Sequence, residues 1–483
     1  MNQPSGEKMS VRIRNGFIWS LLENFSLSGI RFIIGVLMAR MLVPSDYGMI
    51  GMLTVFMAVS DLLINGGLSS ALNKMPQRTE KDFCTAFLFN LSIAFFLYGT
   101  LFFCAPLIAD FYRIPLLESL TRVFSLTLII NALSVIPMTK LQIELSFRTI
   151  SVINLVVAIV NGIAGVSMAF NGYGVWALVY STIIANSIRV LILLALVRWI
   201  PTGFFSYASF KSMFSYGGKL LLGLLVETLY SNIYPLVIGK VYSAEALGYY
   251  SRARGYADLP AATFTMMVYR VCFPAFCAQN SDREKMLVSY AGVMRKVAYI
   301  IFLVMILLLT LAKPLIVVVV TAKWLDSAPL LQILCLAALF LPVLEVNISL
   351  IKALGDASAV LKIQFVSKAA GVLVLALTLH YSVTVMCWGA AIISLLTAVV
   401  NFIWTRKVTG CSLRRLLKPF WIPLVSGAAM YVIAASAVSV TENPYLQCLF
   451  GSLAGVAAYV AVSLLMGFRF SSFGKNEPIH DND

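Results

Sequence analysis

Charge is what this sequence has least of. Asp, Glu, Lys and Arg make up only 12% of its 483 residues, hydrophobic residues make up 60%, and the mean hydropathy is +0.90. Soluble domains carry about a quarter charged residues, so a water-soluble chain is excluded. Histidine is scarcer still: His380 and His480 lie a hundred residues apart. Eight cysteines are scattered, with no C-x-x-C pair. Disulfide frameworks and zinc sites therefore fail on spacing, and the cysteines read as small apolar fillers. Walker, nucleophile-elbow and H-E-x-x-H motifs are absent from the sequence. Long polar segments are also missing. The longest expected loops lie near 67–83, 278–292 and 406–418 on one side, and near 313–327 on the other. With no room for an extramembrane domain, function is expected in the membrane itself, and the chain is not expected to be an enzyme.

What is present is apolar runs of bilayer-spanning length, repeated from end to end. Fourteen spans are expected: 16–39, 47–66, 84–109, 119–138, 150–170, 174–197, 213–239, 251–277, 293–312, 328–349, 359–379, 385–405, 419–437 and 445–467. "KPLIVVVVTAKW" after the ninth reads as a short re-entrant piece. The predicted fold class is all-α integral membrane. Its expected parts are a cytoplasmic N-terminus (1–15), an N-lobe of six spans (16–198), a cytoplasmic linker (199–212) and a C-lobe of six spans (213–405). A basic cytoplasmic loop (406–418), two added spans (419–467) and a tail (468–483) follow.

The 36 Lys and Arg outnumber the 21 Asp and Glu, giving net charge +15. With the N-terminus cytoplasmic, the outer loops hold only Arg40, Arg113, Lys240, Lys313 and Lys323. Most of the remainder fall in the inner loops, the termini and the adjoining span ends, above all in "TRKVTGCSLRRLLKP" (405–419). This is a strong positive-inside bias and places both termini in the cytoplasm. The basic balance therefore reports topology, with attraction to anionic inner-leaflet lipids as a second consequence. It does not point to nucleic acid, because no basic, aromatic-interleaved soluble module is present. The N-terminal run is too long for a cleaved signal peptide and lacks a small-x-small site.

Two stretches match at an offset of 200. "ARMLVPSDYGMIG" (39–51) and "GKVYSAEALGYYS" (239–251) each begin with a base at a span end, Arg40 or Lys240. Each then opens the next span at a glycine, Gly48 or Gly248. Six spans separate the copies, so both halves enter from the same side. The implied arrangement is a parallel repeat with a cavity between its halves.

Charges inside spans are costly and usually face a cavity or a partner. Arg31 lies mid-span with Ser20, Asn24 and Ser28 on one helical face, and Glu23 beside them. The alternative is snorkelling to the surface. Lys219, Gly223 and Glu227 share a face of span 7. Span 8 carries Arg252, Arg254, Asp258 and Arg270; the two former read as interfacial and the two latter as cavity-facing. Arg189 has Asn186 and Ser187 as neighbours, and Lys368 has Gln364 and Ser367. Arg122 reads as an anchor. The cationic-cavity candidates are Arg31, Lys368, Arg270, Arg189 and Lys219. Among the acids, Asp61 with Asn65 forms an i,i+4 patch, and Glu345, between Pro342 and Asn347, marks a break in span 10. Asp61, Asp258, Glu345, Glu23 and Glu227 are candidates for coupling to H⁺ or Na⁺, with structural hydrogen bonds or ion pairs as the competing role. An interior richer in cations than acids suits a polyanion, since Arg grips phosphate bidentately and Lys acts as a point charge.

"ARMLVPSDYGMIGMLTVF" (39–56), the duplication and the span count resemble the polysaccharide-exporter branch of the multidrug/oligosaccharidyl-lipid/polysaccharide flippase superfamily. "NGYGVWALVY" (171–180), "ALGYYSRARGYADLP" (246–260), "EKMLVSYAGVMRKVAYI" (284–300) and "KWLDSAPLLQILCL" (323–336) are similar to Wzx-type O-unit flippases, especially the colanic-acid exporter group. The resemblance implies two six-helix lobes in a V and transfer of an undecaprenyl-diphosphate-linked oligosaccharide between leaflets of the bacterial inner membrane. It also implies a lipid-tail groove shaped by the last two helices, no cofactor, ion coupling, and glycan polymerase or export machinery as partners. The rivals are an ion-coupled multidrug exporter on the same fold, a lipid II flippase, and a membrane glycan polymerase or ligase, which would carry a large periplasmic loop.

Overall fold

The structure is a computed structural model and describes residues 26–279 and 282–468. Among the described residues every regular element is helical, and thirteen helical stretches are long and apolar enough to cross a membrane. They correspond one for one to predicted spans 2–14. The second half of span 1 is helix α1, residues 26–41; its first ten residues, Glu23 among them, lie outside the described residues. By contacts the chain divides between Gly248 and Tyr249 into two compact units.

The first unit contains α1, α2 (Pro44–Asn65), α3 (Leu68–Lys74), α4 (Glu80–Tyr112), α5 (Leu116–Phe124), α6 (Leu126–Ile143), α7 (Phe147–Phe170), α8 (Val175–Val197) and α9 (Tyr207–Val241). It also contains the first turn of α10 (Ala244–Ala278). Local chemistry sets the helix starts. Pro44 occupies the first turn of α2, and the Asp46 carboxylate accepts from the Val43 amide at 3.2 Å. Asp82 receives both the amide and hydroxyl of Thr79 at 2.8 Å, opening α4. Carboxylates so placed satisfy amides at a helix start.

Several helices outrun the predicted spans, because helix length is set by caps as well as by bilayer thickness. α4 runs 33 residues and α9 and α10 run 35 each. The segment before α9 is fastened to α4. The Trp199 indole donates to Glu80 at 2.8 Å, Lys140 pairs with Glu80 at 2.9 Å, and the Ser206 amide donates to the Thr85 hydroxyl at 3.0 Å. A buried cluster of Leu68, Leu72, Phe83, Ile136 and Met213 joins α3, α4, α6 and α9. At the α2–α3 turn, Gly66 and Gly67 both have positive φ, 53° and 69°. The backbone of Gly217 approaches there so closely that neither Gly67 nor Gly217 has room for a side chain.

The second unit holds the rest of α10, then α11 (Arg283–Thr310), α12 (Ala312–Val320), α13 (Ser327–Ala338), α14 (Leu341–Ala353), α15 (Ala357–Thr378), α16 (Val383–Thr409), α17 (Leu413–Leu417), α18 (Trp421–Ser439) and α19 (Pro444–Leu465). The re-entrant candidate is a separate nine-residue helix, α12. Span 10 is broken as expected, into α13 and α14, with Pro342 in the first turn of α14. The basic stretch 406–418 is more helical than a loop: α16 continues to Thr409, and Ser412 caps α17 by accepting from the Arg415 amide. The last two helices are tied to α11. The Tyr459 hydroxyl donates to the Tyr299 carbonyl at 2.8 Å, the Tyr299 and Ser463 hydroxyls meet at 3.0 Å, and Gly427 accommodates Ile306.

Candidate substrate and ion sites in the membrane-spanning helices

The duplicated stretches are equivalent in conformation. α1 ends at residue 41 and α2 starts at 44; α9 ends at 241 and α10 starts at 244. The copies also meet. A methyl added to Gly48 would stand 2.9 Å from Ala244 Cα and nearer still to its carbonyl; one added to Gly248 would stand 3.1 Å from Pro44 Cα. Each copy's glycine therefore accepts the helix start of the other. Lys240 extends past this contact to donate to the Phe111 carbonyl at the end of α4, with its ammonium 4.2 Å from the Phe111 ring centre. A cation at a helix C-terminus is favoured by the exposed carbonyls and the dipole.

Arg31 and Arg189 are both in the first unit. Arg31 is exposed on α1, and Arg189 is partly buried on α8. The two guanidinium groups lie within electrostatic reach of each other. Ala185 and Leu193, one turn to either side of Arg189, pack with Ile153 and Val157 of α7. Arg189 thus emerges from an apolar seam, and its Nε is buried with no hydrogen-bond partner among the described residues. Neither arginine is paired with an acid among the described residues. Two like charges near each other with no counter-ion among the described residues suit an anion, because an anion placed between them removes repulsion and satisfies donors. Lys219 and Glu227 are exposed on α9, two turns apart.

Asp61 meets a partner on another helix. Asn131 of α6 donates to its carboxylate at 3.3 Å, while Asn65 donates to the Asp61 backbone carbonyl at 2.8 Å rather than to its side chain. The Asn131 carbonyl oxygen is buried and unsatisfied among the described residues. A carboxylate and a spare amide oxygen therefore share one place, which suits a proton or a small cation. Asn131 was legible in principle: an amide amid an apolar run has the same need for a partner as a charge.

In the second unit, Arg254 is the partner of Asp258, at 3.2 Å one turn away. Its other arm donates to the Tyr250 hydroxyl at 3.2 Å. Arg254, expected at the interface, lies in a stripe of Tyr250, Arg254 and Asp258 along α10, and a cation binding Asp258 would have to displace a guanidinium. Arg252 lies 5.5 Å from the ring centre of the buried Trp324. Arg270 is partly buried further along α10, and Lys368 is partly buried on α15. Glu345 accepts from Ser349 at 3.4 Å and feels the charge of Lys352, whose ammonium lies 5.2 Å from the Tyr269 ring centre. Beside it, the Tyr290 hydroxyl donates to Asn347 at 2.6 Å, both groups being buried.

Comparison with known proteins agrees with this architecture of long apolar helices. The chain has the fold of a multi-pass membrane transporter: it superposes on a solved structure described as lipid II flippase MurJ, inward closed conformation, with a TM-score of 0.74. That match covers 93% of this chain and 98% of the other, at 16% identity. Residues 37–329 match the family described as polysaccharide biosynthesis protein, and the chain belongs to that family. It is 25% identical over 94% of its length to the teichuronic acid biosynthesis protein TuaB of Bacillus subtilis, covering 95% of that protein. It is also 23% identical to the lipopolysaccharide biosynthesis protein WzxC of Escherichia coli, with 88% of each chain covered.

Proposed function

We propose that this protein moves undecaprenyl-diphosphate-linked oligosaccharide repeat units from the cytoplasmic to the outer leaflet of the bacterial inner membrane, by alternating access, for surface polysaccharide synthesis. Both termini face the cytoplasm. The family and relatives such as WzxC support the polysaccharide role. The carrying observation is the Arg31–Arg189 pair, two cations within electrostatic reach of each other on membrane-spanning helices and unpaired with acids among the described residues. The diphosphate docks there, and the cations Lys219, Arg270 and Lys368 favour the anionic head elsewhere along its route. This spares the head the cost of crossing hydrocarbon, several kcal/mol or more per charge. No cofactor takes part. Binding of H⁺ or Na⁺ at Asp61 and Asn131 supplies the bias between states, since a ligand shifts an equilibrium only by its differential affinity. A glycan polymerase and export machinery take the product.

The test is complementation of a strain lacking this protein, reading both surface polysaccharide and the lipid-linked intermediate. Arg31→Ala combined with Arg189→Ala should abolish the former and accumulate the latter. Normal polysaccharide from a variant present at wild-type level would reject the site.

A further inference from the structure

An apolar groove of about 600 Å³ runs between α1 and α7 in the first unit. Its walls are Ile30, Ile33, Ile34 and Leu37 from α1, facing Ile159, Ile163, Val166 and Phe170 from α7. Gly162 forms its floor by letting Ile34 lie against the α7 backbone. The volume falls within the range of about 300–1,000 Å³ typical of small-molecule sites. Along α7, from Ile159 to Asn171, the groove spans about 18 Å of helix rise.

Two polar residues line it, Ser167 and Asn171, and each spends a donor on a backbone carbonyl of its own helix. The Ser167 hydroxyl donates to the Ala164 carbonyl at 3.0 Å, and the Asn171 amide donates to the Ser167 carbonyl at 2.7 Å. With nine of its eleven lining residues apolar or glycine and none charged, the groove suits a hydrocarbon chain better than a charged head. Arg31 stands on the flank of the groove, between Ile30 and Phe32 and one turn before Ile34. The Arg31–Arg189 anion site therefore lies at one end of an apolar trough.

We infer that this groove seats the proximal part of the polyprenyl chain of the lipid whose diphosphate rests on Arg31 and Arg189. The inference rests on the proposed function and deepens it by placing the tail. Hydrocarbon gains little by leaving other hydrocarbon, because lipid tails are as apolar as the groove walls. Selectivity comes instead from the head: once the diphosphate is held, the first isoprene units are kept at high effective concentration beside the groove. By contrast, the seam between α18 and α19 is closed by side chains, with Gly451 against Val438 and Gly455 against Ala434.

The experiment uses the full chain in nanodiscs. One probe is undecaprenyl diphosphate carrying a photoreactive group in its first isoprene units; the other is phosphatidylglycerol carrying the same group in an acyl chain. The diphosphate probe should label α1 and α7, and labelling should fall at least fivefold in the Arg31→Ala, Arg189→Ala variant. Equal labelling by phosphatidylglycerol would make the groove a site for bulk lipid, and labelling confined to α18 and α19 would move the tail there; either overturns the inference.

A second arm separates this inference from the function beneath it. Ile163 is 67% exposed and Ile33 is 59% exposed, so Ile163→Trp and Ile33→Trp fill the groove without displacing packed neighbours. They should lower affinity for undecaprenyl diphosphate at least fivefold while leaving that for inorganic pyrophosphate, which has no chain, within twofold. If neither diphosphate binds the wild type, the proposed function fails. If both bind and the tryptophans change nothing, the groove assignment alone fails.

Discussion

Replacing Gly48 with alanine tests the meeting of the two motif copies. The new Cβ would lie 2.9 Å from Ala244 Cα. Carbon atoms rest at about 3.5–4.0 Å, so the two backbones would have to part by about 0.6–1.1 Å, and further to clear the carbonyl. The obstacle is main chain, so no rotamer change relieves it. Overpacking of this kind costs roughly 1–3 kcal/mol, equivalent to about a 5–150-fold change in the population of the arrangement in which the copies touch. Gly248→Ala should act alike, since its Cβ would lie 3.1 Å from Pro44 Cα. The double variant should cost less than the sum, because one separation relieves both clashes. The assay is thermal unfolding of the purified protein beside polysaccharide complementation. Gly99→Ala and Gly255→Ala are the controls, having nothing within 4 Å of the added carbon. A Gly48→Val protein with the wild-type melting curve and full complementation would refute the close approach.

Asp61→Asn should abolish the response of flipping to an imposed proton or Na⁺ gradient in vesicles, because it removes the carboxylate that Asn131 meets; an unchanged response would remove Asp61 from coupling. Tyr290→Phe takes the donor from a buried Asn347 oxygen, a loss of about 1–3 kcal/mol, visible as a lowered melting temperature while substrate affinity is kept. Trp199→Phe deletes the indole donor to Glu80 and should loosen the segment before α9, read as faster proteolysis between 199 and 206.

The thirteen spans among the described residues were legible because a bilayer imposes a minimum run of apolar residues, and such runs need no knowledge of neighbours. The break at Pro342 and the 200-residue offset were equally local, set by a missing amide and by repeated turn chemistry. Helix ends such as those of α4 were less so, since capping by Thr79 and Asp82 carries a helix beyond the apolar run.

Which charges meet was a different matter. The sequence marked Arg31, Arg189, Asp61 and Asp258 as costly and therefore in need of partners. It could pair Asp258 with Arg254 only through helical periodicity, and it left Asp61 beside Asn65 when its true partner, Asn131, lies seventy positions away on α6. The proximity of Arg31 to Arg189, the crossed contacts of Gly48 with Ala244 and of Gly248 with Pro44, and the groove between α1 and α7 depend on helices distant in sequence. Composition fixes what must be buried in the membrane; only packing decides which side chains the burial brings face to face.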